Sequence, residues 1–206
     1  MKKYPKIDSL YKRDKNKKLI IGEYTCPEFE YLQDCIWEFT EKVDGTNIRV
    51  GRYYDGWDIR GRTDNAQIPP HLMDKLKSIF HGKIEIWRDI FQFQDVVIYG
   101  EGYGPKINGG GKYRSTPDFV VFDIRIGDWW MRRPDVENIC QTLGLDVVPL
   151  LGAGSLDYWI EHVGRGFDSD WGHFQAEGVV ATPEIPLLKR NGDRVITKLC
   201  CRDYQS

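Results

Sequence analysis

The sequence predicts an α+β domain built on mostly antiparallel sheets with flanking helices. Short runs rich in Val and Ile, bounded by Gly or Pro, recur along the chain as interior strands do. Asp55-Gly56 and Asn191-Gly192 each fall between strand-like segments, the commonest short hairpin signal. Three amphipathic helical stretches are interspersed among these runs, which favours segregated helices over a regular βαβ series. A chain of 206 residues fits one domain and buries a sizeable core, so residues 1–206 are expected to form a single domain with a basic leader over 1–30.

Taken in order, WEFTEKV (37–43) leads into DGTNIRVGRYY (44–54), which breaks at Asp55-Gly56 and resumes as WDIRGRT (57–63), a hairpin. The runs DVVIYGEG, DFVVFDIRI and EGVVATP read as interior strands. KRNGDRVITKL places Asn191-Gly192 between two further strand-like arms. From Pro70 to Phe80, Leu72, Met73, Leu76, Ile79 and Phe80 recur on one helical face. Pro134 opens a helix carrying Val136, Ile139, Cys140 and Leu143 with Gly144 as its stop. Ser155 caps a third, bearing Leu156, Trp159, Ile160 and Val163 and stopped by Gly164. The glycine-rich stretch near residue 110 is the best candidate for a moving part.

Composition excludes several classes. With 41 % hydrophobic and 13 % aromatic residues the chain is globular rather than disordered. No uninterrupted apolar run approaches the roughly 20 residues of a membrane span, and the N-terminus lacks the apolar stretch of a secretory signal. Five cysteines without metal-type spacing read as reduced cytoplasmic thiols. A net charge of −2 gives no general coat for nucleic acid, but charge is uneven. The first 18 residues hold eight Lys and Arg against two Asp, and Lys106, Lys112 and Arg114 cluster in GPKINGGGKYR. Both patches suit phosphate contacts; the alternative is a solvated tail and a mobile loop.

The residues that carry chemistry centre on Glu41-Lys42-Val43-Asp44-Gly45-Thr46-Asn47. A lysine at a strand end before an Asp-Gly turn presents its amine beside backbone N–H groups suited to phosphate. Glu101 and Glu177 sit next to glycines on buried-type strands, where a lone carboxylate is costly, and metal or ribose binding gives each a reason to be there. Lysine attack on a phosphate needs a neutral amine, against an ordinary pKa near 10.4; nearby cations such as Lys198 favour it.

This segment resembles the nucleotidyl-transfer motif of the covalent lysine nucleotidyltransferases, and K-x-D-G-T-N is the form of phage-type ATP-dependent RNA ligases. Arg60-Gly61-Arg62 is similar to the family's second element, Tyr99-Gly100-Glu101-Gly102 to its third and Val121-Phe122-Asp123 to the strand supplying an adenine-stacking aromatic. Glu177-Gly178-Val179-Val180 resembles the fourth, and Thr197-Lys198-Leu199 the last. Order and spacing agree from Lys42 to Lys198, about three quarters of the chain. The resemblance implies a nucleotidyltransferase fold of the ATP-grasp-like ligase type. It implies an enzyme that forms a lysyl-AMP on Lys42 from ATP, transfers AMP to an RNA 5′-phosphate and seals it to a 3′-hydroxyl. It implies Lys198 and Glu177 as catalytic partners, Glu177 and Glu101 as ligands of Mg²⁺ (or Mn²⁺), and Glu41, Asp44, Asn47, Arg62, Glu101, Phe122, Val179 and Lys198 as nucleotide-binding residues, with Phe119 as a second candidate for the stacking ring. Lys106, Lys112 and Arg114 are the expected RNA contacts, RNA the expected partner, and the cytoplasm of a bacterial or phage-infected cell the expected location.

Two departures qualify the pattern. The last motif normally reads lysine, any residue, lysine; here Cys200 stands where the second cation belongs, and strand alternation predicts Lys198, Cys200 and Arg202 on one face. Slower adenylylation than in relatives is expected. The chain also has little length after the last motif for an appended C-terminal domain. Alternatives are an adenylyltransferase that stalls after capping ends with AMP, a DNA ligase core, which Asn47 argues against, and a non-enzymatic nucleic-acid-binding relative.

Overall fold

The computed structural model describes residues 1–53 and 56–204. In chain order its elements are β1 (Asp8–Ser9), β2 (Tyr11–Arg13), β3 (Leu19–Tyr24), α1 (Pro27–Tyr31), β4 (Trp37–Glu41), β5 (Thr46–Tyr53), β6 (Gly56–Gly61), α2 (Pro70–Phe80), α3 (Ile84–Phe91), β7 (Val96–Tyr103), β8 (Asp118–Ile126), β9 (Trp129–Trp130), α4 (Arg133–Leu143), β10 (Leu150–Gly154), α5 (Leu156–Arg165), β11 (Asp168–Ser169), β12 (Gly172–Gln175), β13 (Gly178–Pro183), β14 (Thr197–Cys200) and α6 (Cys201–Tyr204). They separate into two compact units, Met1–Tyr4 with Asp44–Val148, and Pro5–Val43 with the chain from Pro149 onward. The chain passes from one to the other at Val43–Asp44, so they are called here the Asp44 unit and the Lys42 unit.

In the Lys42 unit the sheet runs β1-β14-β13-β4-β10. Strand β4 obeys the two-residue period: Trp37, Phe39 and Glu41 are buried, and Glu38 and Thr40 half-buried. Its inward aromatics pack with Leu10, Phe29, Leu156, Trp159, Val179, Ala181 and Leu199, Phe39 lying stacked on Trp159 at 4.5 Å between ring centroids. Full burial of one such side chain contributes about 1.5–3 kcal/mol. The basic leader is built into this core: Leu10 and Tyr11 are buried and β1 pairs in parallel with β14. Helix α5 starts after Ser155, whose side chain makes no capping hydrogen bond, and it runs through Gly164 to end against Gly166 at φ 76°, the residue whose missing Cβ suits that conformation. The Asn191-Gly192 turn forms, with the Asp193 amide donating to Asn191 Oδ1. Its first arm, however, contributes only an isolated bridge between Leu188 and Arg194 rather than the strand expected, and Leu187 and Leu188 on that arm are exposed, so no burial holds it in a ladder.

In the Asp44 unit the sheet runs β6-β5-β7-β8-β9, all antiparallel. Of the hairpin predicted over 44–63, Asp55 lies outside the described residues, while Tyr53 pairs with Gly56. One face, with Ile48, Val50, Ile98, Val121 and Ile124, packs against Leu72, Leu76 and Phe80 of α2, Trp87 and Phe91 of α3, and Val136, Cys140 and Leu143 of α4. Helices α2 and α4 match their predicted spans, and α4 is stopped by Gly144 at φ 61°. Helix α3 has no side-chain cap and no proline at its start, so nothing in the sequence marks its beginning.

The opposite face is polar and still buried. Arg49, 0 % exposed, donates to the Gly61 carbonyl, the Met1 carbonyl and Asp64 Oδ1. Tyr99 donates to the Lys2 carbonyl and Tyr4 to Asp123 Oδ2, so residues 1–4 strap this face. Burial pushes the Tyr99 phenol up to about 12.

Candidate active site

Strand register explains which residues of the Lys42 unit meet. Thr40 pairs with Val180, and Val180 with Lys198; Gly178 pairs with Cys200, and the Lys42 amide donates to the Gly178 carbonyl one step beyond β4. Alternation therefore puts Thr40, Lys42, Val180, Lys198 and Cys200 on one face of the sheet, opposite the buried Phe39, Val179 and Leu199. Lys42 Nζ donates to Glu177 Oε2 at 2.7 Å, with the two side chains 24 % and 16 % exposed. A carboxylate and an ammonium that are both partly desolvated hold each other more firmly than surface partners do. Gly178 follows Glu177 at φ 148°, and a Cβ there would collide with the Leu199 carbonyl. The Glu-Gly pair thus lets β13 approach β14 closely at the point where Glu177 turns toward Lys42.

Glu41 points the other way. Its carboxylate, 2 % exposed, accepts from Ser169 Oγ at 2.6 Å and from the Asp170 amide at 2.9 Å. Ser169 and Asp170, at the β11–β12 corner, had no local signal in the sequence, because only the fold brings them to Glu41. Val179, expected to touch nucleotide, is fully buried in the apolar core; the neighbouring Val180 is the valine on the face of Lys198.

Cys200 is 3 % exposed, and its thiol is pushed up, chiefly by burial, with Lys42 opposing and Glu177 reinforcing the shift. It is a neutral group. The expectation that Arg202 lies further along the same strand face is not met: β14 ends at Cys200, and Arg202 is an exposed residue of α6. Asp203 of that helix accepts from both Nη atoms of Arg13.

In the Asp44 unit, Asn47 pairs with Glu101, and Glu101 with Val120, so the Asn47 and Glu101 side chains are cross-strand neighbours on one face. Asn47 Oδ1 is buried without a hydrogen-bond partner among the described residues. An orphaned buried amide oxygen costs about 1–3 kcal/mol, a cost a bound hydroxyl or N–H would offset. Gly45 has no room for a side chain, since a Cβ would collide with the Gly102 carbonyl and crowd Glu101 Cγ; the Asp-Gly turn lies directly on β7. Arg62 is exposed just past β6. Phe122 is half-buried at a register shift, where Tyr99 pairs with Asp123 but Gly100 with Val121. Such a bulge re-aims a side chain. Its ring meets Tyr4 edge-on at 4.9 Å. Phe119 is buried in the apolar core.

Of the expected RNA contacts, Lys106 is exposed, Lys112 lies over the Tyr113 ring at 5.4 Å, and Arg114 is paired with Asp118 at 2.7 Å. Among the described residues no group of three or more His, Cys, Asp or Glu is gathered as a metal cage. A divalent cation held by one or two carboxylates together with substrate phosphates needs no such cage, and the half-buried Glu177 carboxylate fits that role. Among the described residues no helix is long and apolar enough to cross a membrane.

The Lys42 unit thus holds a lysine hydrogen-bonded to a glutamate, and the Asp44 unit a glutamate cross-strand from an asparagine with an unsatisfied oxygen, each at a mostly antiparallel sheet of an α+β fold. Residues 36–200 match the RNA ligase family model, and the chain belongs to that family. The fold is similar to that of a variant of the Naegleria gruberi RNA ligase solved with ATP and Mn, at 18 % identity and a TM-score of 0.66 over 98 % of this chain and 62 % of that one. It is similar to the same ligase solved with PPi, at 20 % identity, a TM-score of 0.66, and 98 % and 62 % coverage. A further variant with AMP and Mn gives 19 % identity and a TM-score of 0.68 over 98 % and 58 %. This chain thus spans about three fifths of those proteins' length.

Proposed function

We propose that this chain is an ATP-dependent RNA ligase core whose two compact units make up one nucleotidyltransferase domain, and that Lys42 carries AMP. The observation that carries the reading is the half-buried Lys42 Nζ, held at 2.7 Å by Glu177 on the sheet face it shares with Lys198. The Lys42 ammonium gives up a proton to solvent, and its lone pair attacks the α-phosphorus of ATP. A P–N bond forms as a second N–H proton leaves to solvent, the α–β bridging P–O bond breaks, and pyrophosphate leaves. An RNA 5′-phosphate oxygen then takes the AMP, restoring the lysine, and a 3′-hydroxyl oxygen attacks that phosphate and expels AMP. Lys198 offsets the charge that develops on the α-phosphate. Asn47 and Glu101 take the ribose, Phe122 the adenine, and Arg62 a phosphate. Glu177 orients the amine. Glu177 and Glu101 are the residues that would hold Mg²⁺ or Mn²⁺, which supplies Lewis-acid neutralisation of phosphate charge. Lys106 and Lys112 serve the RNA backbone, and an intracellular compartment supplies ATP.

The test is incubation with α-labelled ATP and Mg²⁺. Acid-labile label is expected on wild type and absent from Lys42→Ala. Unlabelled wild type, or label that persists in the variant, overturns the proposal. Addition of 5′-phosphorylated nicked RNA is expected to discharge the label into a sealed product. Accumulation of AMP-capped ends alone would assign the chain to the stalled adenylyltransferases, and preference for nicked DNA to the DNA ligases.

A further inference from the structure

The glycine-rich loop, read from the sequence as the mobile element, is fastened to the Asp44-Gly45 turn. Asn108 Nδ2 donates to the Gly45 carbonyl at 2.5 Å. The Asp44 amide donates to Tyr113 Oη at 3.2 Å. The Asp44 carboxylate rests against Gly109, where an added Cβ would collide with Asp44 Oδ2. These contacts join the loop between β7 and β8 to the Asp44-Gly45 turn, all within the Asp44 unit.

The loop is itself held in a costly shape. Lys106 and Asn108 are non-glycine residues at φ 64° and 45°, a left-handed conformation that L side chains rarely adopt. Such geometry persists where the surroundings over-determine it, typically at functional sites. The surroundings here are identifiable: Ile107 and Tyr113 are buried, Tyr113 packs edge-on against Tyr103 at 5.9 Å, and Arg114 and Lys75 both reach Asp118 where the loop re-enters β8. Asn108 is exposed and lies in the left-handed region with its amide donating back to the turn. An exposed loop residue contributes little by burial, so its geometry serves the hydrogen bond it makes.

We propose that Asn108, Gly109 and Tyr113 are positioning residues that clamp the Asp44-Gly45 turn, and through it the adjoining Lys42, in the geometry for attack on the α-phosphate. The inference rests on the ligase reading above. A turn fixed from both its N–H and its carbonyl side has no freedom to rotate its peptide planes, and the lysine two residues earlier inherits that constraint. Small misplacement of a reacting group is costly in rate.

Three substitutions separate this from a purely structural role. Asn108→Asp keeps the size and the tolerance of left-handed backbone but turns a donor into a carboxylate oxygen facing a carbonyl. Asn108→Gly keeps the backbone and removes the donor. Gly109→Ala presses on the Asp44 carboxylate. Single-turnover AMP attachment to Lys42 is followed, together with melting temperature and apparent KM for ATP. The rate constant is expected to fall roughly 2- to 10-fold in Asn108→Gly, the range of one neutral hydrogen bond, and further in Asn108→Asp and Gly109→Ala, with KM for ATP changed less than the rate and melting unchanged in the two Asn108 variants. Tyr113→Phe is expected to lower the rate similarly. Rates equal to wild type in Asn108→Asp and Gly109→Ala overturn the clamp while leaving the ligase reading intact, as does a loss of rate that follows melting temperature alone. Failure of wild type to take label overturns the ligase reading instead.

Discussion

The two units treat polar residues in opposite ways. In the Asp44 unit one sheet face holds a buried polar cluster: Arg49, Tyr99 and Asp123 are each satisfied by named partners, and residues 1–4 close over them. In the Lys42 unit the buried sheet face is apolar apart from Glu41 and Thr197, both hydrogen-bonded, and the charged residues Lys42, Glu177 and Lys198 stand half-buried on the other side. The buried Arg49, Tyr99 and Asp123 hold the fold of the first unit; the half-buried Lys42, Glu177 and Lys198 of the second leave the fold to the core and are available for chemistry. Substitution should therefore cost stability in the first set of residues and rate in the second.

The largest expected effect tests the first half. Arg49→Ala removes a fully buried guanidinium with three acceptors and is expected to destabilise by about 3–5 kcal/mol, read in denaturant unfolding. A cost below about 1 kcal/mol would show that the polar face is incidental. Glu177→Gln tests the second half. Loss of a charge-assisted hydrogen bond, about 1.5–3 kcal/mol, is expected to slow AMP attachment by about one to two decades, while stability moves by less than about 1 kcal/mol because the pair retains solvent. A Glu177→Gln protein that unfolds instead would break the comparison.

Cys200→Lys sharpens it. The native thiol is buried and neutral, and Arg202 lies on α6, so this sheet face carries no charge at the position where the family motif has its second lysine. Supplying one is expected to raise AMP attachment by about tenfold, the lower end of a charge-assisted contact, at some cost in melting temperature because a cysteine-sized space must take a longer chain. An unchanged or lower rate would show that Cys200 is not a missing cation.

The smallest expected effect is pH dependence in the Asp44 unit. The Asp64 carboxyl lies below its ordinary 3.8, first through the hydrogen bond from Arg49, which outweighs the opposing effect of desolvation, and then through Lys3 and Arg60. A depressed folded-state pKa stabilises above the unfolded value and loses that contribution as pH falls through the folded one. Acid unfolding curves of wild type and Asp64→Asn are thus expected to differ near neutrality and converge below about pH 3.8. Parallel curves would remove Asp64 from the network's pH response.

Much of this was legible in residues alone, where the physics is local. Proline opened α2 and α4, glycine closed α4, and two-residue alternation placed Lys198 and Cys200 on one face. The order of Lys42, Arg62, Glu101, Glu177 and Lys198 pointed to the ligase family. Where local signals conflicted or were missing, the reading slipped. Gly164 was an acceptable helix residue as well as a stop, α3 had no cap, and nothing in Thr197–Arg202 marked the change from strand to helix that the Arg13–Asp203 ion pair accompanies.

By itself, then, the sequence indicated strands β4 to β8, β13 and β14, helices α2, α4 and α5, and the family, because periodicity, turn chemistry and motif order are properties of neighbouring residues. Strands β1 to β3 and β9 to β12 and helices α1, α3 and α6 were not legible in this way. Only the tertiary structure decided which groups meet: Glu177 with Lys42 across 135 positions, Ser169 with Glu41 across 128, Tyr113 with the Asp44 amide across 69. Contacts at such separation depend on register and packing, which no local pattern encodes.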